Sequence, residues 1–119
     1  MGSLSRLQLY PSKLGLVKPP EFSKQSAVWT VWPTNEGTFP AEITERVKEI
    51  FATVIGVIRS SEAVNVIVPS HETLVEAESR IGEGYGTKGV NFYRMPATDV
   101  WIRDYGPTFL VGRGTLAGV

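Results

Sequence analysis

A chain of 119 residues is long enough for one domain with one core and short for two, and its 42% apolar and 20% charged residues match ordinary globular usage rather than disorder. Twelve basic residues balance twelve acidic ones, which excludes long-range attraction as a route to nucleic acid or an anionic membrane, and neither partner is expected. The absence of cysteine excludes a disulfide framework, a cysteine-ligated metal and a thiol nucleophile supplied by these residues.

No apolar run approaches the ~20 residues of a membrane helix, and "MGSLSRLQLY" lacks the apolar region of a signal peptide, so the cytoplasm is the default compartment. Arg6 stands where a myristoylation motif needs Ser or Thr. Residues 1–26 carry Pro11, Pro19 and Pro20 without sustained periodicity and are expected to form an irregular leader, with the folded part at 27–119. "AVWTVW", 27–32, is aromatic and β-branched and stops at Pro33, the mark of a strand, and "PTNEGTF" is turn chemistry. A helix is expected over 41–59, with Pro40 suited to its start and Ile43, Val47, Ile50, Phe51, Val54 and Ile58 on its apolar stripe. "VNVIV", 64–68, is a buried strand, and Ser70 is a candidate N-cap for a helix over 71–81. "GEGYGTKG" should end that helix before a strand at 90–95, and "TFLVGRGTLAGV" should form a hairpin turning near Gly112 to Gly114. Strands alternating with helices imply βαβ units and an α/β fold.

Gly84, Gly86 and Gly89 match the spacing of a dinucleotide fingerprint, but they follow a helix and open a strand, the reverse of the required context. His71 is the one histidine, and without cysteines it cannot join a soft metal cluster; an exposed place in the first helical turn accounts for it. Trp29 and Trp32 are expected as two rings on one face of a strand beside the core, with Pro33 and Asn35 in the loop at its end. The densest chemistry lies in "ATDVWIRDYGP", which holds both aspartates of the chain, Asp99 and Asp104, around Trp101 and Arg103. Two carboxylates without further oxygen ligands do not make a cation site. A carboxylate matches the paired N–H groups of a guanidinium, and an indole face attracts the same planar cation. On the residues alone two arrangements fit: a clamp of Trp101 and Asp104, or an Asp104 that caps a turn and pairs with Arg103 while Trp101 fills the core.

"PPEFSKQSAVWTVWPTNEGTFP" and "MPATDVWIRDYGPTFLV" resemble the two N-terminal signature stretches of the agmatine deiminase and bacterial-type peptidylarginine deiminase family, within the pentein superfamily of guanidine-modifying enzymes. The likeness runs from about Pro19 to Val111. It implies an α/β propeller of five pseudo-symmetric units, of which this chain would supply the first and the start of the next. It also implies that Asp104 grips the substrate guanidinium and that Trp101 packs beside the substrate. Asp99 and Arg103 would hold this loop, and Trp32, Pro33 and Asn35 would lie near the pocket mouth. Thr98 departs from the Asn or Asp of many relatives, which leaves substrate choice open there.

The implied reaction is hydrolysis of a guanidine, agmatine or an arginine derivative, to a ureido group and ammonia by a cysteine thiolate, with no metal or organic cofactor. The family's cysteine, histidine and second acid lie downstream of these stretches, and His71 is not in the family's histidine motif. The chain is therefore expected to be the front portion of a longer enzyme, or, if whole, to lack turnover. The competing readings are a catalytically inert guanidinium-binding module and a peptidylarginine deiminase-like enzyme. A truncated unit would leave sheet edges unpaired, which favours self-association into a homo-oligomer.

Overall fold

The computed structural model describes residues 10–119, so Arg6 and the first nine residues of the expected leader lie outside the described residues. The chain divides into two compact units, Gln25–Asp104 and a smaller one drawn from Met1–Lys24 and Tyr105–Val119.

The larger unit is built in the order β1 (Ala27–Val31), α1 (Ala41–Ile58), β2 (Ala63–Val68), α2 (His71–Tyr85) and β3 (Val90–Arg94). The strands form one parallel sheet in the order β1-β2-β3, with Val28 opposite Val64 and Val64 opposite Val90. Two successive crossovers step the same way, and both helices pack on each other and against β2 on one face of that sheet. Alternation along β2 sends Val64, Val66 and Val68 toward the helices, where they form the core with Trp32, Ala52, Ile55, Ala77, Ile81 and Val90. Asn65 and Ile67 point to the other face, yet both are buried. On that face the rings of Trp29 and Tyr93, from the two flanking strands, meet across β2 with centroids 5.0 Å apart.

Helix α1 starts where periodicity places it, directly after Pro40, whose carbonyl accepts from the backbone N–H groups of Ile43 and Thr44. Its buried face overlaps the expected stripe in part: Phe51 and Ile58 pack against the core and Val47 is half-buried. Ala52, Ile55 and Gly56 are buried, whereas Ile43, Ile50 and Val54 are each about half exposed (48%, 49% and 49%). The helix is apolar around more than half its circumference, and the small Ala52 and Gly56 let that side approach closest to the sheet and helix α2. Ser70 caps α2 as expected, its Oγ accepting from the Thr73 N–H at 3.1 Å. This helix runs four residues beyond the expected end at 81, through Gly82 and Gly84, and stops at Gly86, where φ reaches 66°. A helical glycine costs about 1 kcal/mol, too little to end a helix whose Ile81 is fully buried; the positive φ at Gly86 ends it.

In the smaller unit, β4 (Phe109–Gly112) and β5 (Thr115–Gly118) form the expected antiparallel hairpin. Its two-residue turn has Arg113 at φ 51° and Gly114 at φ 72°, the left-handed pair that matches strand twist. Part of the stretch expected as an irregular leader has structure of its own. Pro11–Leu14 form a 3-10 helix, and Val17 bridges Val111 through two backbone hydrogen bonds of 2.9 Å. A short helix α3 (Ile102–Tyr105) carries the chain out of the larger unit.

Candidate functional site

The segments singled out by the sequence follow the carboxyl ends of β1 and β3, the end of a parallel sheet at which α/β proteins place their sites. After β1, Trp32 continues the ladder by donating its backbone N–H to the carbonyl of Ile67. Alternation then turns its ring inward, opposite to Trp29. The two tryptophans, expected on one face, thus sit on opposite faces, because residues three apart on a strand must. Trp32 is 0% exposed and Trp29 38% exposed. Expected near a pocket mouth, Trp32 instead has no exposed ring face; its Nε1–H donates to Glu76 Oε2 at 3.3 Å. Pro33 is fully buried beside it.

The loop then turns tightly. Asn35 Oδ1 accepts from the Gly37 N–H at 2.9 Å, and the Asn35 carbonyl accepts from the N–H groups of Thr38 and Phe39. Asn35 is exposed, with its side-chain oxygen used inside the turn. Thr38, half-buried, donates its hydroxyl to Asp99 Oδ2 at 3.0 Å. The other oxygen of Asp99 accepts from the backbone N–H of Val100 at 2.6 Å. Asp99 therefore ties the loop after β3 to the loop after β1.

Two residues on, the Asp104 N–H donates to the Trp101 carbonyl at 2.9 Å, closing a single turn that sets residues 101 and 104 one above the other. Trp101 is 58% exposed rather than filling the core. Asp104 and Arg103 are exposed as well. Among the described residues no hydrogen bond or ion pair engages the Asp104 carboxylate. The turn thus carries an exposed carboxylate three residues after an exposed indole, two groups of the kind that bind a flat cation.

A feature the sequence reading missed is an open depression of about 480 Å³ on the helical side of the same unit. It is lined by Thr34 and Glu36 after β1, Thr44 and Lys48 of α1, and Glu72, Thr73 and Glu76 of α2. Neither Trp101 nor Asp104 borders it. Its wall is a charge network: Lys48 Nζ lies 2.7 Å from Glu76 Oε1, Arg80 Nε lies 3.4 Å from the same oxygen, and Arg80 also pairs with Glu45. The hydrogen bond from Arg80 outweighs the opposing effect of desolvation and, with the charges of Arg80 and Lys48, holds the Glu45 carboxyl below its ordinary value. The same hydrogen bond raises the Arg80 guanidinium. No motif could have disclosed this wall, since its charged members come from two separate helices. His71 is the exposed first residue of α2. Among the described residues no helix is long and apolar enough to cross a membrane, and no group of three or more His, Asp or Glu side chains could hold a metal ion.

Comparison with known proteins places this geometry among relatives. The family model described as Porphyromonas-type peptidyl-arginine deiminase matches residues 17–119. A Streptococcus mutans protein provisionally named agmatine deiminase is 34% identical over 115 residues, covering 92% of this chain and 29% of its own length. A Streptomyces avermitilis protein with the same provisional name is 33% identical over 112 residues, covering 92% and 30%. An X-ray structure of a provisionally named agmatine deiminase superposes with a TM-score of 0.81 at 32% identity, covering 91% of this chain and 29% of that one. C. jejuni agmatine deiminase shares the fold at a TM-score of 0.70 and 22% identity, over 87% of this chain and 30% of its own. The chain thus spans about 30% of the length of the relatives it matches. With its α/β architecture matching agmatine deiminase structures and a family model running from Val17 to the last residue, this chain belongs to the Porphyromonas-type peptidyl-arginine deiminase family.

Proposed function

We propose that this chain is the N-terminal part of a guanidine deiminase whose substrate is agmatine, converted with water to N-carbamoylputrescine and ammonia. The observation that carries the reading is the Asp104 carboxylate, without a hydrogen-bond or ion-pair partner among the described residues, beside the exposed Trp101 on a turn at the carboxyl end of the sheet. Asp104 grips the guanidinium through paired hydrogen bonds, and Trp101 packs along the substrate. Asp99 and Arg103 hold the turn. Trp32, locked in the core, anchors the loop that carries Asn35 toward the pocket mouth.

The chemistry calls for a cysteine thiolate from outside these 119 residues, which contain no cysteine. The thiolate adds to the guanidinium carbon, ammonia leaves with a proton from a histidine, and water then displaces the thiolate to leave the ureido group. The carboxylate holds the attacked carbon in line with the sulfur, so that binding becomes positioning. No metal or organic cofactor enters these steps. In this reading the three-stranded unit is the first of five in a pentein propeller, and the β4–β5 hairpin begins the next. The outer strands β1 and β3 offer edges to further sheet or to a second copy. The setting is cytoplasmic, and the product leads to putrescine. A structure of C. jejuni agmatine deiminase with a cysteine replaced by serine and substrate bound, alike in fold, is in keeping with this chemistry.

The lack of cysteine favours a second reading, an inert guanidinium-binding module, and the family's description leaves peptidyl arginine as the competing substrate. Ammonia release from agmatine, measured on this sequence extended to the length of its relatives, separates them. Agmatine turnover, reduced at least ~100-fold in Asp104→Asn, supports the deiminase. Turnover of arginine peptides alone moves the assignment to the peptidylarginine enzymes. Absence of any turnover, with calorimetric binding of agmatine by the 119-residue chain that Asp104→Asn abolishes, replaces it with the module.

A further inference from the structure

We infer that Thr38 is a positioning residue for the Trp101–Asp104 turn, acting through Asp99; the inference rests on that turn being the guanidinium grip. Asp99 as a carboxylate only accepts hydrogen bonds, and its two oxygens are used differently. Oδ1 takes the adjacent Val100 N–H at 2.6 Å, a local bond that sets the direction of the chain entering Trp101. Oδ2 takes the Thr38 hydroxyl at 3.0 Å, a contact between residues 61 positions apart. The local bond spans one residue and cannot by itself locate the loop, and it depends on the carboxylate orientation that the Thr38 hydroxyl fixes. The remote bond ties the loop to the segment after β1.

Thr38 is suited to act as the fixed end. Its own N–H is held by the Asn35 carbonyl, the Asn35 side chain closes the same turn on Gly37, and the loop leaves the sheet from the fully buried pair Trp32 and Pro33. A rigid stub on the β1 side therefore holds a carboxylate on the β3 side, and a hydrogen bond to an ionised acceptor is among the stronger ones available. Downstream the turn has its own closing bond between residues 101 and 104, so a shift at Asp99 is passed to Trp101 and Asp104 together. Displacing a substrate-binding carboxylate by a fraction of an ångström to an ångström is enough to misalign an attacked carbon.

The test compares Thr38→Val, which keeps the shape and removes the hydroxyl, with Thr38→Ser, which keeps the hydroxyl. In the 119-residue chain, NMR hydrogen exchange of the Val100 amide and the chemical shift of the Trp101 indole read the clamp without any catalysis. The buried Trp32 indole N–H reports whether the fold is intact. Expected in Thr38→Val are faster exchange at Val100 by roughly tenfold and a displaced Trp101 signal, with Trp32 unchanged and Thr38→Ser restoring both. In protein of the relatives' length, kcat/KM for agmatine should fall about 10- to 100-fold in Thr38→Val, chiefly through KM, and recover in Thr38→Ser. An unchanged Val100 and Trp101 in Thr38→Val, or Thr38→Ser behaving like Thr38→Val, overturns the inference. So does unchanged agmatine turnover in Thr38→Val. If the wild-type protein of that length turns over no guanidine, the proposed function fails, while the exchange data still decide whether Thr38 positions the turn.

Discussion

The indole Nε1–H of Trp32 donates to Glu76 Oε2 at 3.3 Å, while the other oxygen of Glu76 receives Lys48 Nζ at 2.7 Å. One carboxylate on α2 thereby fastens a core ring of the sheet and a lysine of α1 whose side chain is only 14% exposed. Removing it leaves a buried indole N–H without its acceptor and a confined ammonium without its nearest counter-charge. Glu76→Ala should lower stability by about 2 kcal/mol, with Glu76→Gln intermediate because it keeps an acceptor for Trp32. Urea denaturation of the three chains measures this.

The pairing of Glu45 with Arg80 sets a pH dependence. The hydrogen bond from Arg80 depresses the folded-state pKa of Glu45 below its ordinary value of 4.5. A depressed carboxyl contributes stability that is present above its unfolded pKa and is lost as pH falls through the folded one. The melting temperature should therefore drop below pH 4.5, and Glu45→Gln should flatten that part of the curve by lowering the neutral end toward the acid one, where the two proteins converge. Glu45 is 69% exposed, so added salt should shrink the difference. Thermal melts across pH at two salt concentrations provide the comparison.

Trp29 and Tyr93 hold the face of the sheet that carries no helix. Their rings are tilted by 35° at 5.0 Å, above Asn65 and Ile67 of the central strand. A double-mutant cycle with Trp29→Ala and Tyr93→Ala should return a favourable coupling of about 1 kcal/mol. Additive effects would mean that each ring packs independently.

Gly112 is required for close approach in the smaller unit. A Cβ placed there would lie 2.2 Å from the Gly15 carbonyl oxygen, a backbone atom that cannot rotate away. Gly112→Ala should break the bridge between Val17 and Val111 and destabilise that unit by about 1–3 kcal/mol. Loss of amide protection at Val17 and Val111 by NMR, with Val64 and Val66 unaffected, is the expected result.

Asp104→Asn, the variant that removes the proposed grip, should leave stability within about 0.5 kcal/mol of wild type, since the carboxylate is exposed and engages no hydrogen bond or ion pair among the described residues. A large loss in chemical denaturation would reassign Asp104 to a structural role.

Much of the architecture is written in local pattern. Period-two and period-3.6 apolar spacing marks β1, α1, β2, α2 and β3, Ser70 marks the start of α2, and Arg113-Gly114 marks a hairpin turn, so the element order and the α/β class follow from neighbours along the chain. The paired motifs around Trp32 and Trp101 likewise carry the family. Only the tertiary structure decided which side of α1 is buried, that Trp32 enters the core while Trp29 stays on the opposite face, and that Asp99 reaches Thr38. The reason is physical: periodicity sets which residues share a face, but the partner for that face comes from segments brought together by the two crossovers. Helix α1 is apolar over too much of its surface to name its own inner side, and a contact across 61 residues leaves no trace in either loop read alone.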